Sequence, residues 1–71
     1  MPKEYSSKEI ETVLKKIGFV FVSQKGSHGK FKNTSGKTVI LPMNKREIPY
    51  GTFRSILKQA GLDLTQFVDN L

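Results

Sequence analysis

His28 is the only histidine in the chain, and it is the side chain best suited to proton transfer near neutral pH. The unperturbed pKa of a histidine is about 6.5, so its imidazole takes up and returns a proton readily in this range. Lys25, Lys30 and Lys32 are close to it in the sequence and could hold a phosphate beside the imidazole. The pattern indicates proton transfer next to a bound phosphate, although an ordinary surface histidine at the start of a strand fits the same residues.

The dipeptide Gly26-Ser27 directly precedes His28 and predicts a turn. Such a turn brings backbone N–H groups and a hydroxyl close to the imidazole. We therefore include both residues among the candidates for phosphate binding.

Other kinds of catalytic site have little support in the sequence. The chain has no cysteine and six carboxylates, five of them near its ends, so it lacks the clustered ligands of a catalytic metal site and we expect no metal. Ser27 and His28 are adjacent in the sequence, and neighbouring residues along a strand point to opposite faces, which does not suit a nucleophile and its base. The glycines match neither a P-loop nor a dinucleotide fingerprint, so we expect no small-molecule cofactor.

The net charge of +6 is concentrated in the middle of the chain. Between Thr12 and Leu62 there are ten basic residues and one acidic residue, Glu47. The positive electrostatic field of these residues attracts polyanions, because it steers them toward the protein and their binding releases counterions. Nucleic acid is the predicted class of partner, and the plain alternative is that the lysines keep a small protein soluble.

The chain opens with Met1-Pro2-Lys3-Glu4 and has no apolar segment of the kind found in a signal peptide. Its longest apolar stretches, Ile17 to Val22 and Val39 to Met43, are too short to span a bilayer. We expect a cytoplasmic protein with no membrane contact. A chain of this length builds one small core, so residues 1–71 are predicted to form a single domain.

Three helices are predicted from capping residues and from apolar residues at helical spacing. The first begins at Ser6, which is predicted to form a capping box with Glu9, and it ends at Gly18. The second ends at Gly61. The third is short and begins at Asp63, which pairs with Gln66. The apolar positions of the three helices are, in chain order, Ile10, Val13, Leu14 and Ile17; Phe53, Ile56, Leu57 and Ala60; and Leu64, Phe67, Val68 and Leu71.

Three strands are predicted between the first two helices. Residues Phe19 to Val22 are typical of a buried strand, the second strand should run from about His28 to Asn33, and the third from Lys37 to Leu41, stopped by Pro42. The predicted fold class is α+β in the order α-β-β-β-α with a short α appended. Its three-stranded antiparallel sheet has helices on one face and an open face where function should lie.

Side-chain alternation places His28, Lys30 and Lys32 on one face of the second strand and Phe31 on the other. On the second helix, Arg54 and Lys58 are four residues apart and form a basic ridge. The phenylalanines fit the periodic core pattern. The tyrosines Tyr5 and Tyr50 are predicted to be free to meet a base.

Three stretches together resemble the HicA family of mRNA interferase toxins: Gly18-Phe19, Lys25 to Phe31 with its glycine-serine-histidine turn, and Ile48 to Leu62. The resemblance implies a fold similar to the double-stranded RNA-binding domain, an endoribonuclease activity on mRNA without metal or cofactor, and neutralisation by a HicB-type antitoxin. It also implies that His28 is the catalytic residue. Gly29 stands where many relatives carry a second histidine or another larger residue, which argues against a mechanism with two imidazoles.

RNA can be cleaved without a metal when the ribose 2′-hydroxyl attacks the adjacent phosphate, which requires a base and cationic groups. We assign the base to His28, and the stabilisation of charge to Lys25, Lys30 and the backbone near Gly26 and Ser27. The residues assigned to holding the RNA strand are Lys32, Lys45, Arg46, Arg54 and Lys58.

Two other functions fit the same sequence. A non-catalytic double-stranded RNA-binding module would use the same lysines on phosphates and 2′-hydroxyls. A basic protein that mainly docks a protein partner would depend more on Glu47 and the terminal acidic residues than on His28.

Overall fold

The computed structural model describes residues 3–71, so Met1 and Pro2 of the predicted domain lie outside the described residues. The elements are α1 (Ser7–Lys16), β1 (Val20–Lys25), β2 (His28–Lys32), β3 (Thr38–Pro42), α2 (Tyr50–Ala60) and α3 (Leu64–Asp69). The strands form an open antiparallel sheet in the order β1-β2-β3. The α+β fold class and the α-β-β-β-α order with a short last helix are confirmed. Over residues 3–71, none of the helices has the length and apolar character needed to cross a membrane.

The helix ends follow the predicted capping signals. At α1, the Ser6 hydroxyl accepts a hydrogen bond from the Glu9 N–H, and the Glu9 carboxylate accepts one from the Ser6 N–H, both at 3.0 Å. Asp63 and Gln66 form the same reciprocal pair at α3. Helix α2 is capped at its C-terminal end by Gly61, whose left-handed backbone (φ 73°) suits glycine.

The predicted strands shift slightly at their ends. Strand β2 ends at Lys32, because the Asn33 carboxamide accepts a hydrogen bond from the Lys37 N–H at 2.8 Å and closes the following turn. Strand β3 is one residue later than predicted at both ends. It includes Pro42, which is tolerated at the last position of an edge strand.

The core lies between the helices and the inner face of the sheet, with α1 and α2 packed against β3. It is a single cluster of buried side chains drawn from every element except β1. Its members are Tyr5, Ile10, Val13, Leu14, Phe19, Phe31, Val39, Leu41, Ile48, Phe53, Ile56, Leu57, Ala60 and Phe67.

The prediction that Phe19 to Val22 form a buried strand is wrong. Phe19 is buried but precedes β1, while Val20, Phe21 and Val22 are 61%, 46% and 49% exposed. Strand β1 is an edge strand, and the helices that cover the sheet contact β3 at the opposite edge. A local apolar run does not reveal whether a strand lies at the edge or the centre of a sheet.

Two predictions about aromatic side chains are also wrong. Tyr5 is buried and not free to meet a base, because its ring packs 5.1 Å from that of Phe53 and 4.9 Å from that of Phe67, measured between ring centroids. Phe21 is half exposed at the margin of the inner face, with its ring 5.6 Å from that of Phe31. The segment before α1 and the terminal helix meet in the core, a contact that no local pattern indicates.

Candidate functional site

His28 is the first residue of the central strand and follows a two-residue hairpin turn. Gly26 occupies the first central position of this turn with φ 58°, a conformation that glycine adopts without steric strain. The turn sets the register so that Lys25 lies directly across from His28 in β1, while Pro42 lies across from it in β3. The hairpin thus brings an ammonium group and the imidazole together on adjacent strands.

Lys25 and His28 form one row of side chains across the outer face of the sheet, and a second row lies next to it. In it, Lys30 lies between Ser23 of β1 and Ile40 of β3. Side chains opposite one another in an antiparallel pair share a face. The two rows meet in a depression of about 500 Å³, which is lined by Ser23, Lys25, His28, Lys30 and Ile40.

The lysines of this depression carry uncompensated charge. Over residues 3–71, the lysines within 4.0 Å of a carboxylate are Lys3, which pairs with Glu9, and Lys15, which pairs with Glu11. Lys25 and Lys30 are therefore available to an anionic ligand, and the exposed imidazole of His28 lies in a positive field.

The predicted site residues of the turn and of the far end of β2 lie outside the depression. Gly26 and Ser27 form the turn beside it, and the Ser27 carbonyl accepts a hydrogen bond from the Met43 N–H at 2.7 Å. Lys32 is on the same face as His28 but at the opposite end of the strand, across from Val20 and Thr38.

The remaining predicted RNA-binding residues lie in two other places. Lys45 and Arg46 line a depression of about 520 Å³ beside the start of α1. Arg54 and Lys58 line another of about 740 Å³ between α2 and α3. The Arg54 guanidinium also donates to the Tyr50 hydroxyl at 3.3 Å. The structure therefore brings two of the predicted lysines into the depression with His28 and separates the others from it.

Ser23 and Ile40 line the depression but are not among the site residues predicted from the sequence. Ile40 could have been found from alternation, since Val39 and Leu41 on either side of it are buried. Ser23 could not, because a bulge between Phe21 and Ser23 interrupts the alternation of β1.

Gly29, the position that departs from the family pattern, faces away from His28. It is buried on the inner face, where a Cβ would lie 2.8 Å from the sulfur of Met43. A larger residue at this position would point into the opposite side of the sheet. Across residues 3–71, no three histidine or carboxylate side chains gather into a possible metal site.

A family model described as the HicA toxin of bacterial toxin-antitoxin systems matches residues 7–62. The chain belongs to the HicA toxin family. The matched range runs from the start of α1 to just beyond α2 and contains the whole sheet with His28, whereas α3 follows it. Among curated proteins, none matches this sequence. Membership of the HicA toxin family implies a cognate antitoxin as a protein partner.

Proposed function

We propose that this member of the HicA family is an endoribonuclease that cleaves mRNA without a metal or a cofactor, with His28 as its catalytic residue. The observation that supports the proposal best is the shared depression of His28, Lys25 and Lys30 on the open face of the sheet. It combines a group that can accept a proton with two cations that can hold a phosphate.

In the proposed reaction, His28 removes the proton of a ribose 2′-hydroxyl as its oxygen attacks the adjacent phosphorus. The bond from phosphorus to the 5′-oxygen of the next nucleotide breaks, and that oxygen takes up a proton from the surrounding solvent, which leaves a 2′,3′-cyclic phosphate on one fragment and a 5′-hydroxyl on the other. Lys25 and Lys30 stabilise the negative charge that develops on the phosphate oxygens, and the nearby backbone of Gly26 and Ser27 assists them.

The other basic residues hold the RNA strand without reading its sequence. Lys32 contacts RNA that continues along β2. The four cations outside this face attract RNA by their long-range field and bind phosphates beyond the cleavage site; they are Lys45, Arg46, Arg54 and Lys58.

We further propose that the antitoxin partner is of the HicB type and that the toxin acts in the cytoplasm, where its mRNA substrate is translated. The family assignment supports a toxin with a cognate antitoxin. Residues 1–71 are proposed to act as a single toxin domain.

The test compares wild-type protein with His28→Ala on a single-stranded RNA in the presence of a chelator. His28 is exposed, so the variant should fold with an unchanged thermal midpoint while its cleavage rate falls by about 100-fold or more. A substrate with a 2′-deoxy group at the scissile nucleotide should resist cleavage, and mass spectrometry should detect the cyclic phosphate. Wild-type activity in folded His28→Ala would contradict the assignment, and binding of duplex RNA without products would favour the non-catalytic module.

A further inference from the structure

Ile40 is an exposed apolar side chain on the charged face of the sheet, at the middle of the edge strand β3. It is 41% exposed, while both of its neighbours in β3 are fully buried. It lies directly across from Lys30 and lines the depression that contains His28. Isoleucine favours strands, but here it places a branched apolar surface beside the groups that would hold a phosphate.

The backbone of Ile40 is anchored to a helix. In the edge strand β3, the Ile40 N–H donates to the side-chain oxygen of Gln59 in α2 at 2.9 Å. This bond satisfies a donor that edge strands otherwise leave to water. It also fixes the position from which the Ile40 side chain projects into the depression.

Ser23 lies on the other side of Lys30, at the bulged part of β1. The row therefore presents a hydroxyl, an ammonium group and an apolar side chain in sequence across three strands, a width of about 10 Å at ordinary strand spacing. These groups match the parts of a nucleotide, which has an anionic phosphate at one end and the less polar faces of ribose and base at the other.

We infer that the row formed by Ser23, Lys30 and Ile40 binds the nucleotide at the cleavage site, with Ile40 packed against its ribose and base. The Ser23 hydroxyl donates to an oxygen of the phosphate that Lys30 holds. The faces of a base are covered by stacking in a duplex, so packing of Ile40 against the face of a base requires an unpaired, unstacked nucleotide. The inference rests on the proposed function and specifies its substrate as single-stranded RNA.

The binding test uses His28→Ala protein, which should leave the RNA intact, and a short labelled single-stranded RNA of mixed sequence. Adding Ile40→Ala should weaken binding by about three- to tenfold because apolar contact area is lost. Ile40→Val should restore most of the affinity. Val68→Ala, a truncation of an apolar side chain that is 46% exposed on α3, should change nothing.

The kinetic test uses the active protein. Ile40→Ala should raise KM for the same RNA by a similar factor and leave kcat within about twofold, since its contact does not depend on bond breaking. Ser23→Ala should lower kcat/KM by about tenfold or more through the lost hydrogen bond to a charged group, with Ser35→Ala in the β2–β3 turn as its control. Thermal unfolding confirms that each variant is folded.

The outcomes separate this inference from the proposed function. Unchanged affinity and KM in Ile40→Ala, with cleavage still dependent on His28, would overturn the inference alone. Binding that depends on Ile40 but yields no products dependent on His28 would overturn the catalytic proposal alone. Equal affinity for the single strand and for its duplex, with the same response of both to Ile40→Ala, would overturn the assignment to single-stranded RNA.

Discussion

His28 and Gly29 are consecutive in β2 and face opposite sides of the sheet, one exposed to solvent and the other buried beneath Met43. A Cβ on Gly29 would lie 2.8 Å from the Met43 sulfur and 3.1 Å from its Cγ. A residue larger than glycine would therefore press on the segment that follows β3 and would not join the imidazole of His28. The two positions serve separate purposes, one in the site and one in packing.

Gly29→Ala should destabilise the protein by about 1 to 2 kcal/mol, because the added methyl group overpacks the space that Met43 fills. In a Met43→Ala background, the destabilisation caused by Gly29→Ala should be smaller by about 1 kcal/mol, since the side-chain atoms that the new methyl group would contact are gone. Urea unfolding of the four proteins in this cycle measures both values. An identical effect in the two backgrounds would show that the contact with Met43 is not the cause.

Lys25→Ala should reduce kcat/KM for RNA by about tenfold and lower the slope of log KM against log salt concentration by about one, as expected when a phosphate contact is lost. Lys37→Ala is the matched control. The Lys37 ammonium nitrogen lies near Gly61 at the end of α2, and this lysine does not line the depression. Equal losses in both variants would indicate a general charge effect and no specific contact.

Ser7→Ala should destabilise the protein by about 1 to 3 kcal/mol, because it removes both hydrogen bonds of a buried hydroxyl. The buried Ser7 hydroxyl donates to the Pro42 carbonyl and accepts a hydrogen bond from the Lys45 N–H at 3.0 Å. It thereby joins the start of α1 to the end of β3. Thermal unfolding measures the change, and Ser55→Ala on the exposed surface of α2 should have a much smaller effect.

Phe67→Ala should destabilise the protein by about 3 to 5 kcal/mol, because it removes a fully buried ring. This ring packs 4.8 Å from that of Phe53, so α3 contributes to the core although it follows the range matched by the family model. Val68→Ala, at the next and half-exposed position, should change the stability by about 0.5 kcal/mol or less. Chemical denaturation compares the two, and similar values would contradict the packing role of α3.

The helices were predictable because their signals are local. The reciprocal caps of Ser6 with Glu9 and of Asp63 with Gln66 satisfy backbone groups within a few residues, and the structure confirms both. The alternation of β2 was predictable for the same reason, since Gly29 and Phe31 are buried and His28 is exposed.

The predictions that were wrong depend on contacts between segments that are distant in the sequence. Val20 to Val22 have the composition of a buried strand, yet they are exposed because the helices pack over β3 and leave β1 at the uncovered edge. Tyr5 precedes the first helix and has no periodic pattern around it. Its burial depends on Phe67, which is near the other end of the chain.

The sequence by itself determined the element order, the helix caps and the shared direction of His28, Lys30 and Lys32, because backbone geometry sets side-chain direction within an element. Only the tertiary structure decided which residues join His28. Hairpin register brought Lys25 opposite it, and strand order added Ser23 and Ile40 to the same depression. The helices pack against the inner face of the sheet. The predicted RNA-binding residues Lys45, Arg46, Arg54 and Lys58 therefore line other depressions and not the one that contains His28. Contacts between elements depend on which apolar faces are buried together, and local spacing does not encode that choice.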